Sequence, residues 1–180
     1  MIKTQPKWLT KLGYYDVDQS SGEILGSGEY HTDDFKKANA RKISAMDAFC
    51  KRYDALYRKR QVSMLFHTFT QANKARMPFN TMIKLTRKRY RKLGFEIKGF
   101  IWTAEVSERL HWHYHLCVAV DRMTVKKIPA ELKLDGLWGR RTGIEFVKKD
   151  VRHYMAKYFA KQNYRVIGTR SYGRSRHFLN

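Results

Sequence analysis

Two short stretches carry residue types that could do chemistry together. The first is His111-Trp112-His113-Tyr114-His115, continued by Leu116-Cys117-Val118-Ala119-Val120. Aromatic and β-branched residues dominate it and no Gly or Pro interrupts it, so it reads as a β-strand. Alternation then puts His111, His113, His115, Cys117 and Ala119 on one face. Trp112, Tyr114, Leu116, Val118 and Val120 take the other, which is apolar enough to face a core. Imidazoles spaced along a rigid strand can ligate a divalent transition metal. Two His two apart are common by chance, but three alternating ones in a chain with only seven are less ordinary. The pattern leaves open which pair would bind.

The second stretch runs from Val151 to about Gln162 and reads as a helix capped by Asp150. Tyr154 and Tyr158 stand four apart on one face, and Lys157 and Lys161 four apart on the next. A nearby ammonium stabilises phenolate, the nucleophilic form of tyrosine. It can also neutralise a phosphate under attack. Taken alone, such a helix is more often simply amphipathic, with half-buried tyrosines and solvated lysines. Beside a metal strand and a strongly basic chain, it points to attack of tyrosine on a DNA phosphodiester. A metal would polarise the phosphate, and a 5′-phosphotyrosine would keep the bond energy for rejoining.

The composition agrees. Lys and Arg number 37 against 16 acidic residues, a formal net charge of +21. That excess asks for a polyanionic partner, and nucleic acid is the usual one. At 180 residues and 43% hydrophobic content the chain fits one globular domain with a real core. No segment approaches the ~20 apolar residues of a membrane span, and Met1-Ile-Lys-Thr-Gln-Pro-Lys leads into no signal core. With only Cys50 and Cys117 there is no disulfide framework, so the expected place is the host cytoplasm.

Several elements must position the two stretches. Ser20 to Gly28 is rich in Gly and Ser and predicts a turn-rich loop or loose hairpin. Asp33-Asp34 open a helical run to about Arg60, with apolar residues from Phe35 to Leu56 at helical spacing. Val62 to Thr70 reads as a buried strand. Asn80 caps a helix to about Leu93, stopped by Gly94. Phe95 to Val106 and Leu110 to Val120 form an antiparallel hairpin. A short helix opens at Thr124, with Pro129 in its first turn or breaking it, and Gly143 to Lys148 is a further strand. From Val62 to Lys148 the order is βαββαβ. That is an α+β fold: a ferredoxin-like, RRM-like antiparallel sheet with helices on one face.

These residues resemble the HUH endonucleases, specifically the rolling-circle replication initiators (Rep proteins) of plasmids and small single-stranded DNA phages or viruses. His113-Tyr114-His115 followed by apolar residues is similar to the family's His-hydrophobic-His motif. Tyr154-Met-Ala-Lys157-Tyr158-Phe-Ala-Lys161 resembles its tyrosine motif, and Met64 to Thr70 its earlier apolar-threonine strand. Arg170-Ser-Tyr-Gly-Arg-Ser-Arg176 resembles the Gly-x-Ser-Arg segment that often follows. The matches lie in family order over about Val62 to Arg176.

The resemblance implies His113 and His115 as metal ligands, with His111 and His113 the rival register. It implies Glu105 on the partner strand as third ligand ahead of Glu108, and Mg²⁺ or Mn²⁺ as the metal. Tyr154 aligns with the nucleophile, Tyr158 with a second nucleophile or a packing residue, and Lys157 with a phosphate contact. Lys161, Arg170, Arg174 and Arg176 would hold DNA. The implied partner is single-stranded DNA at a replication origin, in hairpin form or not. With no Gly-x-x-x-x-Gly-Lys-Ser/Thr motif, host helicase and DNA polymerase would do the unwinding and synthesis. The expected layout is one domain: a core of about 62–162, an N-terminal loop and helix over 1–60, and a basic C-terminal segment over 163–180.

Two rivals share the chemistry, a conjugative relaxase and a single-strand transposase. The position of the tyrosine after the His motif disfavours the relaxase. A third, from another class, is a non-enzymatic RNA- or single-stranded-DNA-binding protein that stacks bases on an RRM-like sheet.

Overall fold

The computed structural model of the chain describes residues 13–17, 24–29, 32–70, 79–106, 112–125, 127–134, 141–148, 151–152, 164–166 and 172–175. In order these form β1 (Gly13–Val17), β2 (Ile24–Glu29), α1 (Thr32–Arg58), β3 (Val62–Thr70) and α2 (Phe79–Lys92). Then follow β4 (Ile97–Val106), β5 (Trp112–Asp121), β6 (Arg141–Phe146), β7 (Tyr164–Val166) and β8 (Tyr172–Arg174). The fold is α+β, centred on a five-stranded antiparallel sheet in the order β6-β3-β5-β4-β8. A smaller sheet, β2-β1-β7, holds the expected Gly/Ser-rich hairpin.

The central strand β5 is apolar on both parities, so both faces of the sheet need cover. On one face Tyr114, Leu116, Val118 and Val120 join Leu65, Phe69, Phe100 and Trp102 in a core closed by α2 through Phe79, Met82, Ile83 and Tyr90. Phe79 stacks on Trp102 with centroids 4.1 Å apart. On the other face Cys117 and Ala119 join Met64, Phe66 and Ile101 beneath Met46, Phe49, Cys50 and Tyr53 of α1. The two helices thus lie on opposite faces, where the sequence reading put them on one. The small and apolar residues of the His parity, Cys117, Ala119, Met64 and Phe66, are what draw α1 onto the second face.

Two glycines serve this packing. Gly94 takes φ +79° and ends α2, with the Phe95 N–H donating back to Tyr90 O. Gly99 lets Tyr53 press against the backbone; a Cβ there would stand 2.0 Å from the tyrosine oxygen. That hydroxyl donates to Lys98 O at 3.0 Å.

The expected helix at Thr124 does not form. Thr124 and Val125 have no regular structure, and the segment makes only a single 3-10 turn at Ala130–Leu132. Pro129 precedes it with ψ 134°, and the proline ring also disfavours helix at Ile128. Side chains hold the segment instead: Leu132 and Leu134 are buried in the α2-side core. Two short strands, β7 and β8, were not anticipated, and β8 turns part of the expected basic C-terminal segment into a sheet edge.

Candidate metal and nucleic-acid site

Register builds the site. Across the sheet, Thr70, His113 and Glu105 are successive partners in one row. Thr68, His115, Thr103 and Tyr172 form the next. All lie on the α1 face, in rows beyond the apolar patch that α1 covers. The sheet's pleat therefore presents two imidazoles, a carboxylate and hydroxyls on rigid neighbouring strands.

The side chains interlock. The Thr70 hydroxyl hydrogen-bonds His113 Nδ1 at 3.1 Å. The Thr68 hydroxyl lies 3.5 Å from His115 Nδ1, a longer contact. Glu105 reaches diagonally, its Oε2 3.5 Å from His115 Nε2. His115 is 4% exposed and stacks against Phe66 with centroids 5.9 Å apart. Glu105 Oε1 is buried with no hydrogen-bond partner. A buried carboxylate oxygen without a partner is costly, and a cation would satisfy it.

One O and two N donors suit a divalent ion such as Mn²⁺, which accepts carboxylate and imidazole together. Among the described residues, no three His, Cys, Asp or Glu side chains already converge into a ligand cage. The donors are close neighbours with one tight Glu–His approach. Cys117 adds no ligand: it is fully buried under α1, and burial pushes its thiol well above the usual range.

The sequence-predicted residues divide clearly. Glu105, His113 and His115 come together. His111 and Glu108 lie outside the described residues, as do Tyr154, Lys157, Tyr158, Lys161, Arg170 and Arg176. Of the expected tyrosine helix only its start is described, Val151 and Arg152. Val151 is buried in the α1-side core, and the Arg152 guanidinium pairs with Asp47 of α1. Arg174 is exposed on the edge strand β8, opposite Ile101.

Thr68 and Thr70 were noticed only as part of an apolar-threonine strand. The signal for their role was there. They share parity with each other, and a sheet that pairs β3 with β5 sets them beside His115 and His113.

A family model for replication-associated proteins of the ORF2 type matches residues 57–163, more than half of the chain. No curated protein and no solved structure is similar enough to match. No helix among the described residues is long and apolar enough to cross a membrane.

Proposed function

The chain belongs to the ORF2-type family of replication-associated proteins, and from that premise we propose that it is an HUH-type DNA nickase and strand transferase. It would cut one strand at a replication origin and so start rolling-circle replication. The observation that carries this is the row geometry of Glu105, His113 and His115, with the orphaned Glu105 oxygen among them. A replication-associated family disfavours the relaxase and transposase readings. The base-stacking alternative fits poorly, because this end of the sheet carries Thr, His and Glu in its rows and no aromatic but Tyr172 at the edge.

In this reading Glu105, His113 and His115 hold Mg²⁺ or Mn²⁺, which when bound neutralises and polarises the scissile phosphate. Each Nδ1–H donates to a threonine oxygen, which leaves Nε2 as the ligating atom. The Tyr154 phenol loses its proton and its oxygen bonds to phosphorus. The bond from phosphorus to the 3′ oxygen breaks, and that oxygen takes a proton to become a free 3′-hydroxyl. Tyr154 then carries the 5′-phosphate. Lys157 offsets charge on the phosphate. Tyr158 either repeats the attack on the regenerated junction or packs the helix. The strand to be cut, origin DNA in single-stranded form, is held by phosphate contacts from Lys161, Arg170, Arg174 and Arg176, and host helicase and polymerase extend the 3′ end.

The deciding experiment is incubation with single-stranded origin oligonucleotides and Mn²⁺, followed by mass mapping of any covalent adduct. The expected adduct is on Tyr154 and is absent in Tyr154→Phe. An adduct that forms at the wild-type rate in EDTA or in Tyr154→Phe overturns the reading. An adduct lost only in Tyr158→Phe reverses the tyrosine roles.

A further inference from the structure

The face of the sheet opposite Glu105, His113 and His115 carries its own concentration of charge. Helix α2 holds Lys84, Arg87, Lys88, Arg89, Arg91 and Lys92 and no acidic residue. It packs on the sheet through Phe79, Met82, Ile83, Thr86 and Tyr90. At about 100° per residue, Lys84, Arg87, Lys88, Arg91 and Lys92 fall within an arc of roughly 140° centred opposite that buried stripe. Lys84, Lys88, Arg91 and Lys92 are exposed. The Arg87 guanidinium is held 5.4 Å from the Phe100 ring centroid, its stem over the core and its charge at the rim.

Nearby carboxylates do not neutralise this arc. Glu96 and Asp121, close to the end of α2, are both engaged by Lys98. Among the described residues the ion pairs fall on Lys98, His115 and Arg152, away from the α2 cations. Concentrating five like charges on one helix face works against the helix through repulsion, and a polyanion would relieve it.

We infer that α2 is a second DNA-binding surface, which holds the phosphate backbone of double-stranded DNA flanking the nick site. Duplex is favoured over single strand by what the arc lacks. Single-stranded sites stack bases on exposed aromatics, and the aromatics of α2, Phe79 and Tyr90, are both buried. A rigid convex helix lined with cations suits a duplex groove instead. The sheet and helix separate this surface from the catalytic face by about 15–20 Å. At about 3.4 Å per nucleotide, DNA must extend at least about five or six nucleotides beyond the cut to reach it. The surface does not depend on the chemistry proposed above.

The test is the triple variant Lys84→Gln, Lys88→Gln, Arg91→Gln, all at exposed positions, with its melting temperature checked against wild type. Binding to a long duplex should weaken at least tenfold at physiological salt. The slope of log affinity against log salt should fall by about 2 to 3, near 0.9 per lost contact. Cleavage of a short single strand ending within a few nucleotides of the nick should be unchanged. An unaltered duplex slope overturns the inference, and so does a loss confined to single strands or to anionic vesicles. If wild type cleaves nothing but the duplex slope still falls in the variant, the nickase reading fails and this surface stands.

Discussion

Histidine occurs on both faces of the same sheet, and the two faces make it two different residues. His67 on β3 points into the α2-side core among Leu65, Phe69 and Tyr90. It is 1% exposed, shares a hydrogen bond of 2.6 Å with the Tyr90 hydroxyl, and stacks on Phe69. Burial lowers its pKa to about 3, so it stays neutral and serves packing. His113 and His115, on the neighbouring strand and the opposite face, meet threonine hydroxyls and a carboxylate. The imidazole is the same. What differs is whether the second ring nitrogen ends in a closed core or beside a partly buried carboxylate with an unmet oxygen. A histidine becomes a ligand candidate through its neighbours in the rows, not through its own burial, since His115 is nearly as buried as His67.

The sharpest break of this contrast is to remove each kind of histidine. His113→Ala with His115→Ala should lower DNA cleavage by about a thousandfold or more, the loss of several kcal/mol of charge stabilisation. Its melting temperature should stay near that of wild type. His67→Ala should do the reverse, costing about 2–4 kcal/mol through a cavity and an unpaired Tyr90 hydroxyl. Cleavage per folded molecule should persist. Urea denaturation alongside a gel cleavage assay separates the two, and a His67→Ala protein that is stable but inactive would end the division.

Acid should find His67 first. Its folded pKa of about 3 lies below the ordinary 6.5, so the unfolded chain binds the proton that the folded chain refuses. The stabilisation is complete above pH 6.5 and is lost as pH falls toward 3. It amounts to something on the order of 4 kcal/mol in all. Denaturation midpoints measured from neutral pH into mild acid should fall, and His67→Leu should flatten that fall. Equal slopes in both proteins would show that other groups carry the acid sensitivity. A smaller change tests the same pair: Tyr90→Phe leaves His67 Nε2 without its partner and should cost about 1–3 kcal/mol.

Much of this was legible in the residues. Parity in Val62–Thr70 and in Trp112–Asp121 assigns each side chain to a face, so Glu105, His113 and His115 could be brought together before any coordinates. The parity of Met64, Phe66, Cys117 and Ala119 also announced a second apolar face, yet α1 was not assigned to it, because pairing between strands far apart in sequence is a tertiary fact. The helix expected at Thr124 failed because periodicity was weighed above Pro129. Strands β7 and β8 escaped because three residues are too few to show alternation. His67 was read as part of a motif strand, and its core role depended on Tyr90, which pattern alone could not place beside it.

The finest test concerns how the site histidines are held. Thr70 and Thr68 differ in their reach to Nδ1, 3.1 Å against 3.5 Å, and a hydrogen bond weakens steeply as it lengthens toward the longer value. If these hydroxyls fix the tautomer that leaves Nε2 free to ligate, losing one should loosen metal binding without unfolding the sheet. Thr70→Val keeps shape and β-branching while deleting the oxygen. It should weaken Mn²⁺ affinity about tenfold, the low end of what an outer partner of a ligating histidine contributes, with stability within about 0.5 kcal/mol of wild type. Thr70→Ser should restore affinity, since it returns the oxygen. Thr68→Val should have the lesser effect, because its contact is the longer one. Mn²⁺ titration followed by electron paramagnetic resonance reads affinity directly, without DNA or turnover. Equal affinity in Thr70→Val and wild type would reduce the threonine rows to ordinary strand residues. A loss in Thr70→Val that serine does not repair would assign the effect to packing. In either case the contrast between the two faces would rest on Glu105 alone.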